Sequence, residues 1–192
     1  QVQTPDGNEI MKYKRVILSN GTERLTAYTK EHAYFWNSSL SRWSEIYETS
    51  DDVEYWDIDQ AGDYLVATNG IDRPLQWDGD TATTFENIDT LYNSSDFISK
   101  AEFIKVFNNY IFLGNVTLSD STVLQHYVYW SNIGEGTDAD GFRQDLSGDA
   151  GSAYIEGAGE ITGGFGLWQS YLCIFKRWSV RKMWFTGGSI PF

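Results

Sequence analysis

Apolar residues in this chain come in short runs separated by turn formers such as Asn20-Gly21, Asn69-Gly70 and Asn108-Asn109. Runs this short, bounded by residues that tolerate positive φ, predict β-strands and tight hairpins, and no 3.6-residue apolar stripe argues for a helix. The clearest unit is Tyr64 to Asp80, YLVATNGIDRPLQWDGD: an apolar strand, a polar turn and a second strand ending in Trp-Asp-Gly. Looser copies run from Leu25 to Asn37, from Tyr110 to Ser131 and from Tyr171 to Phe185, each closing its second strand with aromatic residues. The copies start near Leu25, Leu65, Ile111 and Leu172, so they are 40, 46 and 61 residues apart. Repetition on that scale points to stacked supersecondary units. The expected fold is all-β, a β-propeller-like array of about four antiparallel blades in a single domain over 1–192, which can also be a portion of a larger propeller.

Between the repeats the pattern gives weaker signals. Residues 1–12 are expected to be extended or disordered. Asp51 to Asp63 alternates acids with Val53, Tyr55 or Trp56, and Ile58, as a strand with one buried face and one solvated acidic face would. Ala101 to Gly114 reads as two strands about Asn108-Asn109. Val116 to His126 reads as a polar excursion and Asn132 to Ala153 as an exposed inter-blade loop, and such excursions are where repeat proteins place binding variation. Gly163-Gly164 reads as a turn before a last hairpin over Leu167 to Phe185. Trp36, Trp43, Trp77, Trp130, Trp168, Trp178 and Trp184 recur near the same place in each unit, which favours packing between blades over a sugar-stacking platform.

Composition changes this picture mainly by exclusion. Over 192 residues, 41% hydrophobic and 16% aromatic content supplies ample core. The formal net charge of −13 opposes adhesion to phosphates, and the basic group Lys176-Arg177 with Arg181-Lys182 lies on a hairpin whose neighbouring side chains alternate between faces. Neither a transmembrane span nor a secretory signal is expected. The single Cys173 sits in an apolar run and is expected to pack as a small apolar side chain.

Candidate chemistry is sparse. His32 and His126 fall in no metal-binding motif, and the glycine-dense Gly157 to Gly166 is followed by strand residues rather than by the helix a dinucleotide site needs. Asp51, Asp52, Glu54, Asp57 and Asp59 could furnish a glycosidase acid pair, but in so acidic a chain a solvated face explains them as well. Asp138-Ala139-Asp140-Gly141 with Asp145 has some of the oxygen density of a Ca²⁺ loop without the full ligand spacing of an EF-hand, which leaves open whether Asp138, Asp140 and Asp145 bind Ca²⁺. Four Asn-x-Ser/Thr triplets, at Asn20, Asn37, Asn93 and Asn115, match the N-glycosylation pattern.

Taken in order, Thr68 to Pro74 with Trp77-Asp78-Gly79, Phe107 to Gly114, Tyr129 to Gly134, and Ile161 to Gly164 with Leu172 to Lys176 resemble the repeats of propeller-like virion proteins of tailed bacteriophages, the tail accessory or packaged-DNA stabilisation type. The resemblance covers roughly Leu25 to Phe185, and the pattern of such proteins would continue beyond this chain into further blades. It implies a structural part of the virion at the head-to-tail junction or tail, oligomeric there and partnered by portal, adaptor or tail subunits. On this basis no catalytic, cofactor-binding or metal-binding residues are expected, and neither tight DNA binding nor membrane association. The alternatives that the residues leave standing are a carbohydrate- or surface-binding propeller module and a propeller hydrolase.

Overall fold

The computed structural model describes residues 3–168 and 171–187, with the backbone alone over 164–168. Its strands are β1 (Lys12–Ile17), β2 (Glu23–Tyr28), β3 (His32–Asn37), β4 (Arg42–Glu48), β5 (Asp57–Ala61), β6 (Tyr64–Thr68), β7 (Leu75–Trp77), β8 (Glu86–Asn87), β9 (Ile98–Phe107), β10 (Tyr110–Leu118), β11 (Val123–Trp130), β12 (Gly151–Tyr154), β13 (Ile161–Trp168), β14 (Tyr171–Lys176) and β15 (Ser179–Trp184). They form four antiparallel sheets in chain order: β1 to β4, β5 to β8, β9 to β12, and a three-stranded sheet of β13 to β15. The protein is all-β with propeller-like blades, and no helix occurs among the described residues. The four repeat starts Leu25, Leu65, Ile111 and Leu172 each fall on the second strand of a sheet, β2, β6, β10 and β14.

Strand alternation explains how the sheets stack, because successive side chains leave a strand on opposite faces. On β6, Leu65 and Ala67 face the first sheet, where they join Tyr28, Phe35, Ile46, Trp56 and Trp77 in one buried cluster, while Val66 faces the third sheet. On β10, Ile111 and Leu113 join Val66, Ile88 and Ile98 between the second and third sheets. From the same strand Tyr110 and Phe112 point the other way, into a cluster with Trp130, Ile161, Leu172 and Ile174 between the third and fourth sheets. Among the described residues the core is therefore three apolar slabs, each shared by two consecutive sheets, and a smaller fourth cluster of Ala27, Tyr34 and Trp43 with Ile10 and Trp36 on the outer face of the first sheet. The edge strands β5, β9 and β13 pack beside one another, so the first strand of each later sheet lies against the first strand of its neighbour.

Turn chemistry follows the residues. Asn108 and Asn109 both take positive φ, 50° and 65°, as the two-residue turn that matches strand twist requires. Gly70 has φ of +76°, and a Cβ there would stand 2.7 Å from the Tyr55 hydroxyl, so both backbone conformation and space exclude a side chain. Leu18-Ser19-Asn20-Gly21-Thr22 and Leu118-Ser119-Asp120-Ser121-Thr122 make one and the same turn: the fifth residue's N–H donates to the third residue's side chain, at 2.8 and 2.9 Å.

Several expectations are corrected. Val116 to His126 is no excursion: β10 and β11 continue through it as one long hairpin, with a bulge beside Asn115 (φ 53°) and a tight turn at Ser119 to Thr122. The loop after Trp130 joins the third and fourth strands of one sheet and does not run between blades. Its Asn132 Oδ1 collects the N–H groups of Asp149 and Ala150, at 2.7 and 2.9 Å, and Phe142 is fully buried beneath it. Gly163-Gly164 lies inside β13, where a register shift absorbs it, and the last hairpin is Tyr171 to Trp184. Residues 3–11, within the stretch expected to be extended or disordered, hold no regular element and are tied to the first sheet: Thr4 is buried, and Asp6 accepts hydrogen bonds from Thr29 and Asn8.

Candidate functional site

The acids that the alternation assigned to water are placed at a junction. Asp57 and Asp59 lie on β5, an edge strand, and point at β9, the edge strand of the next sheet. The backbone N–H groups of Ile104 and Val106, turned away from their own sheet, donate to Oδ2 of Asp57 and of Asp59, each at 3.0 Å. Lys12 and Lys14 of β1 approach Oδ1 of the same two carboxylates at 3.6 and 3.3 Å, and Lys105 of β9 reaches Asp59 Oδ2 at 2.7 Å. Burial alone would raise the Asp59 pKa, but the hydrogen bonds from Lys105 and Val106, with the charges of Lys105 and Lys14, hold it below the ordinary carboxylate value. Three sheets are thus laced along their adjacent edges by two carboxylates and three ammonium groups. Asp51 and Glu54 are exposed, and Asp52 pairs with Lys30 at 2.8 Å.

Two of the three aspartates for which the sequence leaves Ca²⁺ binding open are ordered around an arginine. Arg143 donates through Nε and Nη2 to the two oxygens of Asp145, at 2.6 and 2.9 Å, and through Nη1 to Asp140 at 2.9 Å. The guanidinium supplies the positive charge between those two carboxylates. Asp138 lies apart from them, at the edge of a groove of about 500 Å³ between the second and third sheets. That groove is lined by Gly62, Asp63, Tyr64, Asn109 and Gly134, among others, and the Asp63 carboxylate in it accepts from the N–H and Oγ of Ser19, at 2.5 and 2.6 Å.

The tryptophans divide. Trp77 is 1% exposed and Trp130 5%, each between two sheets as expected, whereas Trp43 is buried with Trp36 in the small cluster on the outer face of the first sheet, where no neighbouring blade packs. Gly151 lies directly across the ladder from Trp130, and a Cβ on it would meet the indole at 2.5 Å. Trp178 and Trp184 break the expectation: they are 74% and 53% exposed. Trp168 lies outside the described side chains.

Trp178 lies in the turn between β14 and β15, and register explains the exposure of Trp184. In β14, Leu172, Ile174 and Lys176 face the third sheet, leaving Tyr171, Cys173 and Phe175 on the opposite face, where β15 adds Trp184, Lys182 and Val180 directly across from them. This outer face is open, with Phe175, Val180 and Trp184 all exposed, and Lys182 crosses its middle with Nζ 4.9 Å from the centroid of the Tyr171 ring. In the first three sheets the corresponding face is covered by the next sheet. Cys173 is buried within this sheet as a free thiol.

No protein-family model matches the chain, and no curated protein matches it.

Lys176 is the functional-looking residue that pattern reasoning missed. Grouped in sequence with exposed basic residues, it is buried, and its Nζ donates to the carbonyls of Ile155 and Gly157 and contacts Nδ1 of His126 at 3.1 Å. Burial, with the nearby charge of Arg181, lowers its pKa. The ammonium therefore works as a hydrogen-bonding plug joining β14 to β11 and to the link before β13. Its signal in the sequence is register alone: it shares a face with Leu172 and Ile174.

Proposed function

We propose that this protein is a structural component of a tailed-phage virion, at the head-to-tail junction or tail, and that it docks on neighbouring virion proteins through the outer face of its fourth sheet. The observation that carries this is the open face on which Phe175, Val180 and Trp184 are exposed on either side of Lys182, at the position where each earlier sheet is covered by its successor. Burying such a face against a protein partner removes apolar area from water, the main driving force of association. The order of motifs along the chain and the propeller-like sheets support the virion assignment. Elsewhere polar groups are committed to the fold itself: Asp57 and Asp59 join β9, Arg143 ties two aspartates within its own loop, and Lys176 joins β14 to β11 and to the link before β13. With a net charge of −13 and Lys12, Lys14 and Lys105 bound to carboxylates, the surface favours protein partners over DNA phosphates.

Antibody against the chain should label tailed particles at the neck or tail in electron micrographs, and a Val180→Glu/Trp184→Glu double variant should fold yet fail to enter particles. Particles without label would sink the virion assignment, and normal incorporation of the double variant would remove the fourth sheet as the docking face. The exposed Trp178 and Trp184 also favour a second reading, a carbohydrate- or surface-binding module, because open indoles stack on sugar rings. Strong, Trp184-dependent signals on a glycan array would select it.

A further inference from the structure

The segment ahead of β1 and the turn between β2 and β3 bring together a donor set that is scattered in the sequence. Thr4 to Gly7 closes as a turn, with the Gly7 N–H on the Thr4 carbonyl at 3.1 Å, and this sets Asp6 beside Glu31 and His32. One carboxylate oxygen from Asp6, one from Glu31 and a ring nitrogen of His32 lie within 4.8 Å of one another. Asn8 ties the two carboxylates together: its Nδ2 donates to Oδ2 of Asp6 at 3.1 Å and to Oε2 of Glu31 at 2.6 Å. Thr29 Oγ1 donates to the same Asp6 oxygen at 2.7 Å. Burial would raise the Asp6 pKa, but its hydrogen bonds from Thr29, Thr4 and Asn8 outweigh burial and keep it ionised below the ordinary value.

A third carboxylate, Glu45, stands with Oε2 at 3.2 Å from Nδ1 of His32. That nitrogen is buried, and the carboxylate lies off the direction a hydrogen bond needs. Positive charge nearby is thin: Lys30 comes no closer than 3.5 Å to Glu31 and is engaged by Asp52 at 2.8 Å. Three carboxylates around an imidazole with an unmet buried nitrogen are stabilised by a further cation. Each carboxylate offers about four acceptor positions, so the bonds from Asn8 and Thr29 leave lone pairs for one.

We propose that Asp6, Glu31 and His32 bind a divalent transition-metal ion of the zinc type, and that this ion fastens the segment ahead of β1 onto the first sheet. One imidazole with two carboxylates suits zinc-like ions, whereas Ca²⁺ and Mg²⁺ take shells of oxygen. Bonds of about 2.0–2.2 Å place donor atoms roughly 3.3 Å apart, so the three groups must close by about 1.5 Å at most, within the reach of partly exposed side chains. Asn8 orients the carboxylates, and a fourth position stays open to water.

The test is calorimetric titration of chelator-stripped protein with Zn²⁺, repeated with Co²⁺ to read imidazole ligation in its absorption spectrum. The expected result is one equivalent bound, a higher melting temperature, and slower protease cleavage around Gly7. His32→Gln and Glu31→Gln should each weaken binding by at least roughly 100-fold, while Asp138→Asn leaves it unchanged. Circular dichroism of each variant separates loss of ligand from loss of fold, and if His32→Gln unfolds, Glu31→Gln alone decides. Absence of stoichiometric binding, binding of Ca²⁺ in place of Zn²⁺, or wild-type affinity in a folded ligand variant would overturn the proposal. None of these outcomes bears on the docking face of the fourth sheet.

Discussion

The second and fourth sheets are built from the same kind of hairpin, an apolar strand returning through a turn to a strand that ends in tryptophan, yet one tryptophan is sealed and the other is in water. Trp77 packs against Phe35 and Phe85 with ring centroids 5.6 and 6.2 Å away, and its Nε1 donates to the carbonyl of Asp80 and to Thr83 Oγ1, each at 3.1 Å. Trp184 meets Tyr171 edge-on at 6.5 Å and is otherwise half exposed. The local sequence is equivalent in kind. What differs is the neighbour: the second sheet has a sheet on either side, and the fourth has the third sheet on one face only. An aromatic at a repeated position is thus core or contact surface according to its place in the array.

The comparison can be broken most sharply at Trp77. Trp77→Ala should lower stability by about 3–5 kcal/mol, because it leaves a cavity between two sheets and strips the indole's hydrogen bonds. Thermal or denaturant unfolding reads the loss, and an unchanged midpoint would place the ring outside the core. Next in size is Asp59→Asn, expected to cost about 2–3 kcal/mol, since Lys14 and Lys105 lose their charged partner and the Val106 N–H its strong acceptor. The pH sign follows from the depressed pKa of Asp59: its contribution is present above the unfolded carboxylate value near 3.9, and is lost as pH falls below about 4 through its folded value. The variant should therefore show a flatter acid limb of stability than the parent. The smallest effect belongs to Trp184→Ser, expected within about 0.5 kcal/mol of wild type because its surroundings are largely solvent. A loss comparable to that of Trp77→Ala would show that the fourth sheet's outer face is covered within the chain itself.

Much of the fold was legible because its signals are local. Asn108-Asn109 needed only its own preference for positive φ, and the second strands of the four sheets announced themselves as apolar runs. The misreadings share a cause, which is that alternation shows that two faces differ but not what each one meets. Asp57 and Asp59 look like solvated acids on β5, and only the edge of β9 makes them acceptors for a neighbouring backbone. Lys176 looks like one of a scattered basic group until β14 is placed on the third sheet. The Asp6, Glu31 and His32 cluster was equally hidden, since it depends on where the segment before β1 folds back. In the loop after Trp130, the density of acids at Asp138, Asp140 and Asp145 leaves Ca²⁺ binding open, and the charge between Asp140 and Asp145 is that of Arg143, a residue lying between them in sequence.

The lacing at β5 also bears on how the chain can be made without sticking to its neighbours. An edge strand with free N–H groups is a template for strands of other molecules, and the danger is greatest while synthesis is incomplete. Here the groups that occupy the outward N–H positions of Ile104 and Val106 come from Asp57 and Asp59, and the lysines that balance Asp57 and Asp59 on the other side come earlier still, from β1. Because a ribosome delivers these residues in that order, each stopper is already in place when the edge it closes emerges.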